Sequence, residues 1–136
     1  MDTDVIVAAL CSPRGASAAI LRCLDEGLGT LLLSVPLALE YEAICQLAEH
    51  RLVTGLTLDD VEVFVNSLIA LSEPVEAHFR WRPALQDPAD EMVLETAVNG
   101  NADALVTFNQ RHFKPVHPQF GIEVLLPREA LRRMKL

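Results

Sequence analysis

The side chains best suited to chemistry are acids, and the most informative of them is Asp90. It lies in a stretch, residues 87–109, that opens Asp87-Pro88-Ala89-Asp90. An acid followed by Pro suits an N-cap and first helical position, because Pro pre-sets the helical φ and has no N–H to leave unpaired there. With a helix start at Pro88, Asp90, Val93, Leu94, Ala97 and Val98 recur at three- and four-residue spacing and share one face. Asp90 therefore sits on the apolar side in the first turn, while Asp87 is better read as a cap than as a ligand. Glu91 and Glu95 fall off that face and read as solvated. Gly100 and Asn101 stop the helix, and residues 102–106 form a short buried strand. Thr107 and Asn109 then lie just past its C-terminal end.

The remaining elements decide whether these groups meet other acids. Asp2 and Asp4 precede an apolar run over residues 5–10, and a strand ending at Asp2 would need several residues ahead of Met1. After the turn Ser12-Pro13-Arg14-Gly15, residues 16–24 form an amphipathic helix, and residues 30–35 a buried strand. Ser34 and Pro36 start a helix whose stripe is Leu37, Tyr41, Ile44, Cys45 and Ala48, with Glu40 beside that stripe. Thr57 and Asp60 have the spacing of a capping box, ahead of a helix burying Val61, Phe64, Val65, Leu68 and Ile69. Residues 74–79 and 122–126 read as strands, and Pro127 opens a last helix through Met134.

This alternation predicts an α/β fold over residues 1–136, one domain with a mainly parallel sheet between helices and its first core strand truncated or missing. Polar groups at strand C-termini converge in such a sheet. That brings Asp2, Asp4, residues 34–40, Asp90, Thr107 and Asn109 to one edge. Two unit charges about 5 Å apart repel by roughly 3 kcal/mol at an effective dielectric of about 20, so a cation should compensate them. Oxygen ligands select hard ions, Mg²⁺ or Mn²⁺ rather than zinc. His50, His78, His112 and His117 lack metal-ligand spacing and read as surface or packing residues. Such an ion polarises phosphate and lowers the pKa of an attacking water.

Composition narrows the setting. The chain is 51% apolar with a net charge of −8, which excludes disorder and works against non-specific nucleic-acid binding. Cys11, Cys23 and Cys45 are widely spaced thiols, as expected of a cytoplasmic protein. No run approaches a membrane span and no signal sequence opens the chain. Trp81, between Arg80 and Arg82, reads as a stacking platform for a base or as an aromatic closing the core edge.

Taken in order, Asp2-Thr3-Asp4 with its apolar run, Ser34 with Glu40-Tyr41, Asp87-Pro88-Ala89-Asp90 with Leu94 and Ala97, and residues 102–109 resemble the successive motifs of the PIN-domain family. More narrowly they resemble the toxin ribonucleases of bacterial toxin–antitoxin pairs. The resemblance implies a three-layer PIN-like domain and a Mg²⁺- or Mn²⁺-dependent endoribonuclease that is dimeric and silenced by a cognate antitoxin protein. It puts Asp2, Glu40 and Asp90 at the metal positions, Thr107 at a hydroxyl that orients the first acid, and Asn109 at a fourth position that is often Asp. Asp4 stands where the family usually has Asn, adding either a further ligand or an uncompensated charge. Two alternatives are a catalytically impaired PIN-like scaffold that binds a partner protein, and a haloacid-dehalogenase-type phosphatase using Asp2 and Asp4. The latter lacks a suitably placed Lys, since Lys114 and Lys135 are the only two.

Overall fold

The computed structural model describes residues 1–76, 85 and 87–135. Asp2 caps the first helix, α1 (Thr3–Cys11), its Oδ1 accepting from the Thr3 N–H at 2.8 Å. The apolar run behind the two acids is thus helical, and buries Val5, Ile6 and Ala9. The second helix, α2 (Ala16–Asp25), matches expectation and packs on α1. The strand expected over residues 30–35 shrinks to β1 (Leu32–Leu33), because Ser34 turns the chain into α3 (Val35–Cys45). Its Oγ accepts from the Leu37 N–H, and the following proline lies in the first turn. Leu37, Tyr41 and Cys45 are buried on α3. Ala48 is not part of that stripe: it begins a separate helix, α4 (Ala48–Thr54), and is exposed.

The expected capping box is present, with Asp60 N–H donating to Thr57 Oγ1 at 3.1 Å and Thr57 N–H donating to Asp60 Oδ2 at 2.9 Å. It opens α5 (Leu58–Leu71), which buries Val61, Val65 and Leu68. Ile69, expected on that face, is 47% exposed. It lies about 80° around the helix from Val61, on the rim of the buried arc. After α5 comes β2 (Glu73–Pro74), so the strand expected over residues 74–79 begins one residue earlier, and its part beyond residue 76 lies outside the described residues, as do His78 and Trp81.

Asp87 accepts from the Ala89 N–H at 2.9 Å and caps α6 (Pro88–Asn99), as its sequence predicts. Gly100 ends this helix at a close approach: a Cβ there would stand 2.7 Å from Leu32 Cδ1 and 2.9 Å from Val75 Cγ2. Then follow β3 (Ala104–Val106), a 3₁₀ turn (Gln110–Phe113), α7 (Val116–Phe120), β4 (Glu123–Leu125) and α8 (Pro127–Met134). The strands are parallel, as expected, but among the described residues they form two pairs, β1 with β2 and β3 with β4, rather than one sheet. The result is a mixed α/β fold with helices dominant. Asp2 N–H donates to the Val106 carbonyl at 2.8 Å, which sets residues 1 and 2 against the β3 edge opposite β4.

Helix α6 touches α3, β1 and β3 and carries Val93 and Leu94 into the main core with Leu37, Tyr41, Leu105 and Phe113. Contact on several sides explains the largest departure from expectation: Glu91 and Glu95 are buried, not solvated. Glu91 Oε1 accepts the Leu85 N–H at 2.6 Å, so this acid ties the chain ahead of the helix to its first turn. A second cluster, Val5, Ile20, Val106, Leu125 and Ala130, fills the space between α1, α2, α8 and the β3–β4 pair.

A candidate acidic metal site

Three backbone features carry the acids to one corner. The N-cap of α1 fixes Asp2, its first turn carries Asp4, and the first turn of α6 carries Asp90. Across from α1, the chain leaving β3 presents Thr107, which is fully buried. Its Oγ1 donates to Asp2 Oδ2 at 2.7 Å and accepts from the Asn109 N–H at 2.9 Å. Both Asp2 oxygens therefore accept one hydrogen bond within the protein and keep further lone pairs. Tyr41 holds the same corner from α3, its hydroxyl donating to the Met1 carbonyl.

Asp4 faces this pair. Its Oδ2 accepts from Asn109 Nδ2 at 3.0 Å and from the Phe108 N–H at 3.2 Å. Its Oδ1 is buried and makes no hydrogen bond among the described residues. Burial, and then the charge of Asp2, push the Asp4 carboxyl up to about 6. The same two causes raise Asp90, joined by the charge of Asp87 and opposed by His112, whose Nδ1 lies 3.2 Å from Asp90 Oδ2. Tyr41 is also held well above the usual phenol range by burial, with Asp2 and Asp4 adding to it. These couplings describe one underneutralised acidic corner. Among the described residues no Lys or Arg pairs with Asp2, Asp4 or Asp90.

The expected members thus divide. Asp2, Asp4, Thr107 and Asn109 share one hydrogen-bonded group, and Asp90 joins it through charge. Glu40 is half-buried, and its side chain makes no hydrogen bond or ion pair among the described residues; nor do any three acidic, histidine or cysteine side chains among them, Asp2, Asp4 and Asp90 included, lie at metal-ligand spacing. Asn109 spends its side-chain amide on Asp4. His112 is a surface residue, as expected, and is also the partner of Asp90, an arrangement that becomes apparent only once the 3₁₀ turn brings it over α6.

The donor set fits a hard divalent cation. A buried carboxylate oxygen with no donor, beside a second carboxylate and away from Lys and Arg, is costly unless a cation or proton satisfies it. All available ligand atoms are oxygens, which suits Mg²⁺ or Mn²⁺. The residues positioned to hold such an ion are Asp2 and Asp4, with Asp90 next to them.

A family model described as PIN domain matches residues 1–111, which include Asp2, Asp4, Tyr41, Asp90, Thr107 and Asn109. No curated protein and no solved structure matches the chain.

Proposed function

We propose, from the premise that this chain belongs to the PIN-domain family, that it is a divalent-metal-dependent endoribonuclease acting as the toxin of a toxin–antitoxin pair. PIN domains form a nuclease superfamily whose members are generally metal-dependent, and that general statement is carried by the family match alone. The observation that supports metal dependence is Asp4 Oδ1, buried next to Asp2 and without a donor among the described residues; the RNA substrate and the toxin role rest on the resemblance of the motifs.

Each side chain then has a task. Thr107 aims Asp2 by donating to Oδ2, and the N-cap bond to Thr3 fixes the other oxygen. Tyr41 anchors the backbone just ahead of Asp2. Asn109 and the Phe108 N–H hold Asp4 Oδ2, leaving Oδ1 for a ligand. His112 holds Asp90 at the rim. When bound, a divalent ion supplies Lewis acidity toward a phosphodiester oxygen and lowers the pKa of the attacking water. In this reading Asp4 takes the acidic role that Asn109 leaves vacant, and Glu40 is a further ligand.

Among the described residues no helix is long and apolar enough to cross a membrane. The exposed apolar side chains Val35 and Leu39 on α3, Leu52 and Val53 on α4 and Val63 on α5 support a protein-covered surface, which we assign to a homodimer or the antitoxin. A second reading, a scaffold that binds a partner without chemistry, is favoured by the absence, among the described residues, of three acids at metal-ligand spacing. Incubating the purified protein with single-stranded and structured RNA separates the two. Cleavage is expected in Mn²⁺ and absent in EDTA. Cleavage that persists in EDTA contradicts the metal-dependent reading, and intact RNA in Mn²⁺ selects the scaffold.

A further inference from the structure

The chain leaving β3 carries the one aromatic side chain that is exposed among the described residues. Tyr41 and Phe113 are buried and Phe64 and Phe120 half-buried, whereas Phe108 is 49% exposed. A single exposed apolar side chain needs no explanation by itself, so its position decides what it means. Phe108 stands between Thr107, which donates to Asp2, and Asn109, which donates to Asp4. Its own N–H donates to Asp4 Oδ2 at 3.2 Å, which pins its backbone to the acidic corner. Standard bond lengths then keep the ring within about 9 Å of that oxygen. A phosphate at the corner and a base on the ring are therefore within the span of a nucleotide or two. The residues that follow supply charge of the opposite sign. In a chain of net charge −8, no Asp or Glu lies between Asp103 and Glu123, while Arg111 and Lys114 both fall in that interval. Both are exposed, and neither makes an ion pair among the described residues. The turn that carries Arg111 is anchored in the core by Phe113 and set against the corner by His112, whose Nδ1 lies 3.2 Å from Asp90 Oδ2.

We infer that Phe108, Arg111 and Lys114 form a binding track for unpaired RNA, in which one base stacks on the Phe108 ring while Arg111 and Lys114 take phosphates beside the acidic corner. Stacking needs a free base face, which a base inside a duplex does not offer, so the track selects unpaired nucleotides and tolerates any base there. The two cations offset locally the charge that otherwise keeps an acidic protein away from a polyanion. Phe108 is thus a positioning residue: the nucleotide stacked on it decides which phosphate comes to Asp2 and Asp4. The track rests on the nuclease reading of that corner, but its test reads binding rather than cleavage.

The test follows, by fluorescence anisotropy, a labelled unstructured RNA of about twelve nucleotides, within the site size of a single-strand groove. Affinity is compared for the wild type, Phe108→Ala, Phe108→Leu and Phe108→Trp in Ca²⁺, which oxygen ligands also hold, or in EDTA if a gel shows the RNA cut. Because the side chain is exposed, all three variants should melt with the wild type. Phe108→Ala and Phe108→Leu are each expected to weaken binding about tenfold, with Phe108→Trp at or above the wild type. The same RNA annealed to its complement should bind more weakly and lose little from any of these substitutions. Arg111→Ala should reduce the slope of log affinity against log salt by about 0.7. Wild-type affinity in Phe108→Ala overturns the inference, as does wild-type affinity in Phe108→Leu, which marks an apolar contact without stacking. Equal affinity for the duplex, or no binding of the RNA by the wild type, overturns it too. The two readings fail separately: RNA cleavage in Mn²⁺ with binding indifferent to Phe108 removes only the track, and Phe108-dependent binding without cleavage removes only the nuclease.

Discussion

Asp2→Asn is expected to lower Mn²⁺-dependent RNA cleavage by at least about a hundredfold while leaving the fold in place. The reasoning separates two tasks that this side chain performs. As the N-cap of α1 it accepts the Thr3 N–H, and Asn caps a helix about as well as Asp. As a site acid it supplies charge through the oxygen aimed by Thr107, and Asn cannot supply that charge. Mutating the outer partners of metal ligands costs about 10–100-fold, so loss of the ligand charge itself should cost at least as much. The melting temperature in EDTA should fall little or rise, since the substitution removes one of the charges that raise Asp4 and Asp90. An active Asp2→Asn protein, with RNA cleavage within a few-fold of the wild type, contradicts this assignment.

The second large effect concerns the exchange between Asp4 and Asn109. Asn109→Asp replaces the donor of a 3.0 Å hydrogen bond with a second carboxylate. Loss of a hydrogen bond to a charged group, with repulsion softened by solvent at this exposed position, should cost about 2 kcal/mol, or several degrees of melting temperature. Asp4→Asn should act oppositely in the apo protein, with a dependence on pH whose sign follows from the raised pKa. The folded carboxyl titrates near 6 and the unfolded one near 3.8, so the fold binds the proton more tightly. The cost of ionising Asp4 is absent below about pH 3.8, grows as pH rises toward 6, and is constant above. Asp4→Asn should therefore melt higher than the wild type above pH 6 and alike below pH 4. Carrying both substitutions restores one acid and one amide in reversed places. The pair should recover the apo stability that the Asn109→Asp single variant loses, a non-additivity expected of contacting residues. Strictly additive melting shifts contradict the pairing.

How much of this was readable from the sequence depends on the physical reach of each signal. Local rules served where the partner lies within one helical turn: the Asp87 cap, the start at Pro88, the Thr57–Asp60 box and the stop at Gly100 all stand as expected. The inward placement of Asp90 and the parallel β3–β4 ladder also follow from periodicity. The approach of Thr107 to Asp2 was implied by motif order, since no local pattern links residues so far apart. What escaped depends on tertiary surroundings. Helix α6 is covered on several sides, so polar residues off its apolar stripe, Glu91 and Glu95, are buried too. Residues 5–10 are apolar without a period that separates helix from strand, and only the cap at Asp2 decides for α1. The break between α3 and α4 carries no Pro or Gly, so periodicity alone carries the α3 stripe on to Ala48. His112 meets Asp90 through a 3₁₀ turn that composition does not announce.

The central claim, that Asp2, Asp4 and Asp90 form a corner built for a divalent cation, is tested most directly by melting the wild type and Asp90→Asn in EDTA and in saturating Mn²⁺. An ion bound only by the folded state contributes about 2.7 kcal/mol when free metal is about a hundred times its dissociation constant, a rise of several degrees for a domain of this size. The account predicts that rise for the wild type, and for Asp90→Asn a melting temperature in EDTA equal to or above the wild type with a reduced Mn²⁺ shift. An Asp90→Asn protein that melts lower in EDTA and keeps the full Mn²⁺ shift would contradict it, making Asp90 a structural acid of the α6 start.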